Sequence, residues 1–128
     1  MSPSNAALAE RFAPAATGIH WQPLCRRADL VANSGVVAWH QGRQVALFWL
    51  PGNPEDQQLF ALDNRDPKSG VNVIGRGLIG QAGDDLVIAS PLYKQHFRLR
   101  DGSCIEFPDQ RLDTWPIRLD GETVEIGI

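Results

Sequence analysis

The sequence predicts an all-β domain of antiparallel sheets packed as a small sandwich or barrel. Three observations carry that expectation. From Ile19 onward, short β-prone stretches alternate with clusters of Gly, Pro, Asp and Asn, the pattern of strands joined by turns. Hairpin signals stand at Gln41-Gly42, Asp101-Gly102 and Asp120-Gly121, where residues that tolerate tight turns separate β-prone runs. From the same point on, no segment of convincing length shows the 3.6-residue period of an amphipathic helix, and neither internal repeats nor coiled-coil heptads are visible.

Taken in chain order, residues 1–17 form an Ala- and Pro-rich extension. It either makes one short helix over 5–12, capped by Asn5 and stopped before Pro14, or serves as an unstructured lead-in. Residues 18–128 are expected to form the single β domain. Its candidate strands are 20–25, 35–40, 43–50, 57–62, 85–89, 96–99, 104–106, 117–119 and 123–128. Trp21, Trp39, Trp49 and Trp115 are expected to anchor a small core, with one or two at an edge where they would mark an interface. The stretch 63–83 gathers Asp66-Pro67, Ser69-Gly70, Gly75, Gly77, Gly80 and Gly83 with little alternation, so it reads as a long irregular loop of the kind that carries function.

Composition narrows the function classes. With 128 residues, 43% hydrophobic and 21% charged, the chain suits one core and not two. A net charge of −3 and a pI near 5.5 offer no clustered positive field for nucleic acid. The longest strongly apolar run, Val45 to Leu50, falls far short of the roughly 20 residues of a membrane-spanning helix. The first 17 residues lack a basic start and carry Glu10 and Arg11, unlike a secretory leader, so a cytoplasmic protein is expected. Cys25 and Cys104, without Cys-x-x-Cys spacing, are read as reduced, largely buried thiols.

The chemistry that the loops frame is that of a Rieske centre, in which two Cys and two His hold a [2Fe–2S] cluster from a Cys-x-His loop and a Cys-x-x-His loop. In the second loop, Ser90-Pro91-Leu92-Tyr93, Ser90 and Tyr93 stand where Cys and His would be. Pro91, Phe97 and the Asp101-Gly102 turn keep their places. In the first, Leu62-Asp63-Asn64-Arg65-Asp66-Pro67-Lys68, Asp66 falls at the Cys position and Lys68 at the His position. All four ligands are replaced, and Lys, Ser and Tyr are poor donors to another transition metal.

These loops, with Gly75-Arg76-Gly77-Leu78-Ile79-Gly80, Val45-Ala46-Leu47-Phe48, Asp101-Gly102-Ser103-Cys104 and Trp115-Pro116-Ile117-Arg118, resemble the small subunit of the NAD(P)H-dependent assimilatory nitrite reductase. The resemblance runs from about Trp21 to the C-terminus. It implies a Rieske-type β fold without a cluster and an accessory role beside a large subunit. In that family the large subunit carries FAD, a [4Fe–4S] cluster and sirohaem and reduces nitrite to ammonium. No catalytic, cofactor-binding or metal residue is implied on this chain. Lys68 departs from the family, whose members more often carry an apolar residue there. Two rivals are a free-standing Rieske electron carrier, untenable without the ligands, and a stand-alone Rieske-derived binding or regulatory module.

The former ligand positions admit two roles. Asp66, Lys68, Ser90 and Tyr93 either dock the two loops by hydrogen bonds or a salt bridge, or free the loop tips to meet the partner, with Lys68, Arg76, Tyr93, Lys94 and His96 as candidate interface residues. Strand alternation would set Lys94, His96, Arg98 and Arg100 on one side as a basic strip and Tyr93, Gln95, Phe97 and Leu99 on the other. His20, His40 and His96 show no metal-ligand spacing. Gly75-Arg76-Gly77 lacks the Lys-Ser/Thr ending and strand-to-helix context of a phosphate loop.

Overall fold

The computed structural model describes residues 18–53 and 57–128; the helix expected over 5–12 lies outside them. Ten strands follow in order: β1 Trp21–Arg26, β2 Ser34–His40, β3 Arg43–Trp49, β4 Leu59–Asp63, β5 Leu78–Ala82, β6 Asp85–Ala89, β7 His96–Arg98, β8 Thr114–Trp115, β9 Ile117–Asp120 and β10 Thr123–Gly127. Two 3-10 turns, Arg27–Asp29 and Ile74–Arg76, interrupt them. The strands pair antiparallel in three sheets, ordered β1-β10-β9, β2-β3-β4-β8 and β5-β6-β7. The all-β expectation therefore holds among the described residues.

The four-stranded sheet is the middle of the molecule, and this explains why β3 reads as an unbroken apolar run. Successive side chains of a strand point to opposite faces, and both faces here are covered. Ala46 and Phe48 of β3 and Phe60 and Leu62 of β4 enter one core with Ile88, Phe97 and Leu99. Val45, Leu47, Leu59 and Ala61 face the other way and meet Val124 and Ile126 of β10. A strand buried on both faces has no polar positions to alternate with. Fully burying Phe48 or Leu62, both 0% exposed, contributes about 2–3 kcal/mol each relative to exposure.

Turn chemistry sets the register. Gln41 and Gly42 both take positive φ, +49° and +80°, between the paired His40 and Arg43, as the two-residue β2–β3 turn requires. The β9–β10 hairpin turns on Gly121-Glu122, between the paired Asp120 and Thr123. Asp101-Gly102 closes the turn after β7, where the Gly102 amide donates to the Arg98 carbonyl at 2.8 Å.

Three expectations need correction. Residues 78–82, read as part of an irregular loop, form β5, which pairs with β6 through a turn at Gly83-Asp84; Gly80 and Gly83 hid a hairpin that begins at exposed Leu78. Residues 104–106 make no strand. Cys104 forms only an isolated bridge to Phe97, and Ser103 one to Arg111. The two-residue β8, too short for any pattern to reveal, pairs with β4.

The first ligand-type loop is pressed onto β2 where two glycines meet. A Cβ on Gly35 would collide with the Gly75 carbonyl oxygen and stand 2.8 Å from Phe48 Cε1. Overpacking of that kind against backbone costs about 1–3 kcal/mol. Gly35→Ala is therefore expected to lower stability by that amount, measured as a urea midpoint shifted down at unchanged slope; an unshifted midpoint would show that the contact is not tight.

Candidate functional site

Two loops from different sheets meet at the site. The first, residues 64–77, leaves β4. The second, residues 90–95, leaves β6. Asn64, 3% exposed, fastens the first loop from both sides: its Nδ2 donates to Gln44 Oε1 at 2.9 Å, and its Oδ1 accepts from the Gly75 amide at 2.6 Å.

Asp66 then turns inward and is completely buried. Its carboxylate ends the first turn of its own loop by accepting from the amides of Lys68 at 2.8 Å and Ser69 at 3.3 Å, the self-capping that makes Asp common in turns. The same carboxylate reaches across to the second loop. Ser90 Oγ donates to Asp66 Oδ2 at 2.6 Å, and Gln95 Nε2 donates to Asp66 Oδ1 at 3.2 Å. Gln95 Nε2 also donates to Gln110 Oε1 at 3.1 Å, while Gln95 Oε1 is buried without a partner. No salt bridge to Asp66 occurs among the described residues, so neutral donors alone satisfy its oxygens.

The second loop is shaped for this contact. The Lys94 amide donates to the Ser90 carbonyl and the Ser90 amide to the Gln95 carbonyl, both at 3.0 Å, and Lys94 takes φ +60°. That turn breaks the expected alternation. Gln95, Phe97 and Leu99 are buried together, but Tyr93, expected on their side, is 54% exposed. Lys68 Nζ lies over the Tyr93 ring, 4.8 Å from its centroid. The four ligand-type positions thus meet as an inner pair, Asp66 with Ser90, and an outer pair, Lys68 with Tyr93.

A Rieske cluster needs two thiolates and two imidazoles, and these residues do not fit it. The inner pair is bonded to itself, the outer pair offers an ammonium and a phenol, and the described residues hold no group of three or more His, Cys, Asp or Glu that could bind a metal.

The candidate interface residues are not all gathered. Lys68 and Tyr93 touch, and Lys94 follows in the same loop. Arg76 is exposed on the 3-10 turn beside β2. His96 is drawn aside by Glu106, which accepts from its amide at 2.8 Å and contacts Nδ1 at 2.6 Å. The basic strip is likewise neutralised: Arg98 and Arg100 both pair with Asp85, at 2.8 and 3.3 Å. His20 is exposed. His40 is buried, edge-on to Trp115 with Nε2 unpartnered.

None of the tryptophans is fully buried. Trp21, Trp49 and Trp115 each lie beneath an arginine, Arg118, Arg27 and Arg43, whereas Trp39 is 68% exposed. Cys104 is buried and Cys25 half-buried. Burial pushes both thiols up, away from the thiolate form that reacts.

The family model for the Rieske-like [2Fe-2S] domain matches residues 20–127. The chain is 44% identical over 87 residues to the nitrite reductase (NADH) small subunit of Salmonella typhimurium, covering 67% of this chain and 77% of that one. The chain belongs to the nitrite reductase small-subunit family of Rieske-like domains. The solution structure of the Escherichia coli family member NirD superposes with a TM-score of 0.75 at 34% identity, over 86% of this chain and 97% of that one. The chain is also 37% identical over 125 residues to the nitrite reductase [NAD(P)H] large subunit of Klebsiella oxytoca. That alignment takes in 98% of this chain but only 12% of the much longer relative.

Two outcomes follow for the site. Asp66→Ala strands the Ser90 hydroxyl and the Gln95 amide, so a loss of about 2–4 kcal/mol is expected. Ser90→Ala is expected to lose about 1–3 kcal/mol, and a urea double-mutant cycle should show the two losses coupled; additive losses would mean that the bond between the loops is not formed. Acid adds a second check. Burial pushes the Glu106 carboxyl up, but the His96 amide and ring pull it down further, leaving it below its ordinary range. A carboxyl lowered in the folded state stabilises fully above its unfolded value of about 4 and loses that contribution as pH falls through the lowered value. Glu106→Gln is therefore expected to flatten the acid limb of a stability–pH curve.

Proposed function

We propose that this chain is the cluster-less small subunit of an NAD(P)H-dependent nitrite reductase, held against the large subunit that reduces nitrite to ammonium. In this reading, FAD, the [4Fe–4S] cluster and sirohaem all reside on the large subunit, and no cofactor on this chain. The folded unit is 18–128, residues 1–17 are an extension, and the complex is cytoplasmic. The observation that carries the reading is the occupation of all four ligand-type positions by residues that engage one another, Asp66 hydrogen-bonded to Ser90 at 2.6 Å and the Lys68 ammonium 4.8 Å from the Tyr93 ring centroid, in a chain of this family. A segment alike in sequence lies within the Klebsiella oxytoca large subunit, which supports a domain that works in contact with the reductase.

The chemistry available to this chain is then structural. Its loops are closed by their own side chains and leave no open coordination position, so it presents a fixed surface and supplies no group to the reacting nitrite. The docking face in this proposal is the loop end that carries Lys68, Arg76, Tyr93 and Lys94, with His96 contributing less because Glu106 engages it.

Affinity capture of the tagged chain from nitrate-grown cells, with iron analysis and visible absorbance of the chain purified alone, tests the proposal. Recovery of a large flavoprotein by a colourless, iron-free chain is the expected result. Stoichiometric iron on the isolated chain would overturn the cluster-less assignment, and a colourless chain without a partner would favour a stand-alone binding module.

A further inference from the structure

The charges of this chain are segregated in a way that its net charge of −3 conceals. Arg26, Arg43, Arg98, Arg100 and Arg118 each lie within 4.0 Å of a carboxylate. Of the cations that make no ion pair among the described residues, Arg65, Lys68, Arg76 and Lys94 belong to the two loops of the site, and Arg27 and Arg111 lie outside them. The segments that build this end, 31–42, 64–83 and 90–95, contain a single carboxylate, Asp66, and it is buried. These segments therefore expose cations and no carboxylate of their own, and the border carboxylates Asp63 and Asp113 are both held by Arg43.

Apolar side chains sit among these cations. Val37 is 49% exposed and Trp39 68%, both on β2, the edge strand of the middle sheet. Val37 Cγ2 lies against Gly75, 2.9 Å from where a Cβ would stand, and so next to Arg76. Trp39 lines one surface depression with Arg65, Asn72 and the ion-paired Arg43 and Asp63. The other three tryptophans each carry an arginine over the ring, and Trp39 carries none among the described residues.

We infer that the edge of β2 and the first loop form one docking face, in which Trp39 is the anchor and Arg65 and Arg76 the flanking cations, and that its occupant is an acidic-rimmed apolar surface of the large nitrite reductase subunit. The inference rests on the subunit reading and adds the surface and the chemistry of the partner. Tryptophan and arginine dominate binding energy where a central side chain is desolvated inside a polar rim. Unpaired cations on an otherwise acidic chain steer association with an acidic surface and make it salt-sensitive. The face joins onto the Lys68–Tyr93 pair through the first loop, so it extends the loop-tip surface and adds Trp39 to it as the central aromatic contact.

The test uses the full chain and the large subunit from the same source. Affinity is measured at low and high salt for the wild type, Trp39→Ala, Trp39→Phe and the double variant Arg65→Glu with Arg76→Glu. All three replaced side chains are exposed, and thermal unfolding of each variant confirms that the fold is retained. Trp39→Ala is expected to bind at least tenfold more weakly, with Trp39→Phe recovering part of the loss. The charge reversal is expected to bind at least tenfold more weakly at low salt and to lose the salt dependence of the wild type. Glu122→Lys, at the β9–β10 turn, is expected to bind as the wild type does. Unchanged affinity for both Trp39→Ala and the charge reversal, in an assay where the wild type binds, overturns this surface and leaves the subunit reading standing. No binding by the wild type overturns the subunit reading and this surface with it.

Discussion

The geometry of the site depends on one buried carboxylate. Asp66 is the point at which a loop from the middle sheet and a loop from the β5-β6-β7 sheet become a single structure, because its two oxygens accept from both. A buried carboxylate with too few donors would be among the most costly groups a domain this small could hold. Here four donors converge on it. Hydrogen bonds to a charged group contribute about 1.5–3 kcal/mol each, but the penalty for leaving any one unmade is of the same size, so the arrangement is closed or it fails. That all-or-none character gives the loops one relative position. A metal cluster would impose the same constraint through bonds to four side chains; hydrogen bonds among replacement side chains impose it here.

The rest of the fold delivers the two loops to that meeting. The central strands β3 and β4 are buried on both faces, so they cannot shift register by one residue without moving a whole apolar set into the wrong core. A fixed β4 fixes where residue 64 leaves the sheet. Asn64 carries that position forward by bonding to Gln44 and to Gly75, and the close approach of Gly35 to Gly75 holds the 3-10 turn on β2. On the other side β6 is paired by both β5 and β7, which sets the exit of the second loop at Ser90.

Much of this was legible in the sequence. The Val45–Leu50 run, the turns at Gln41-Gly42 and Asp120-Gly121, and the spacing of Asp66, Lys68, Ser90 and Tyr93 follow from local chemistry that a single chain displays. Other features depend on partners far away in sequence. Gln95 has a part in the site only because its amide donates to Asp66, and Gln110 only because its Oε1 accepts from Gln95. The row of Lys94, His96, Arg98 and Arg100 looked basic because its neutralising carboxylates, Asp85 and Glu106, come from other segments. β5 was missed because Gly80 and the turn glycine Gly83 resemble loop composition, although its backbone bonds to β6 are regular. The tryptophans were expected to anchor the core with one or two at an edge; Trp39 takes the edge position, and the other three stay half-exposed because each ring meets the delocalised cation of an arginine in place of other apolar groups.

The inner and outer pairs of the site differ in what they can give up. The Lys68–Tyr93 contact lies at the surface, where a cation over an aromatic ring contributes only about 0.5–1 kcal/mol. Either side chain can turn to a partner at little cost. The Asp66–Ser90 bond lies in the interior, where removing one member strands the other, so it cannot be exchanged for an external contact without opening the loops. The loop end therefore combines a rigid base with adjustable tips. Binding loses least entropy when the backbone is already positioned and only exposed rotamers must be fixed. Such a base favours a surface that docks onto a preformed partner, and it does not require the loops to move for that docking to occur.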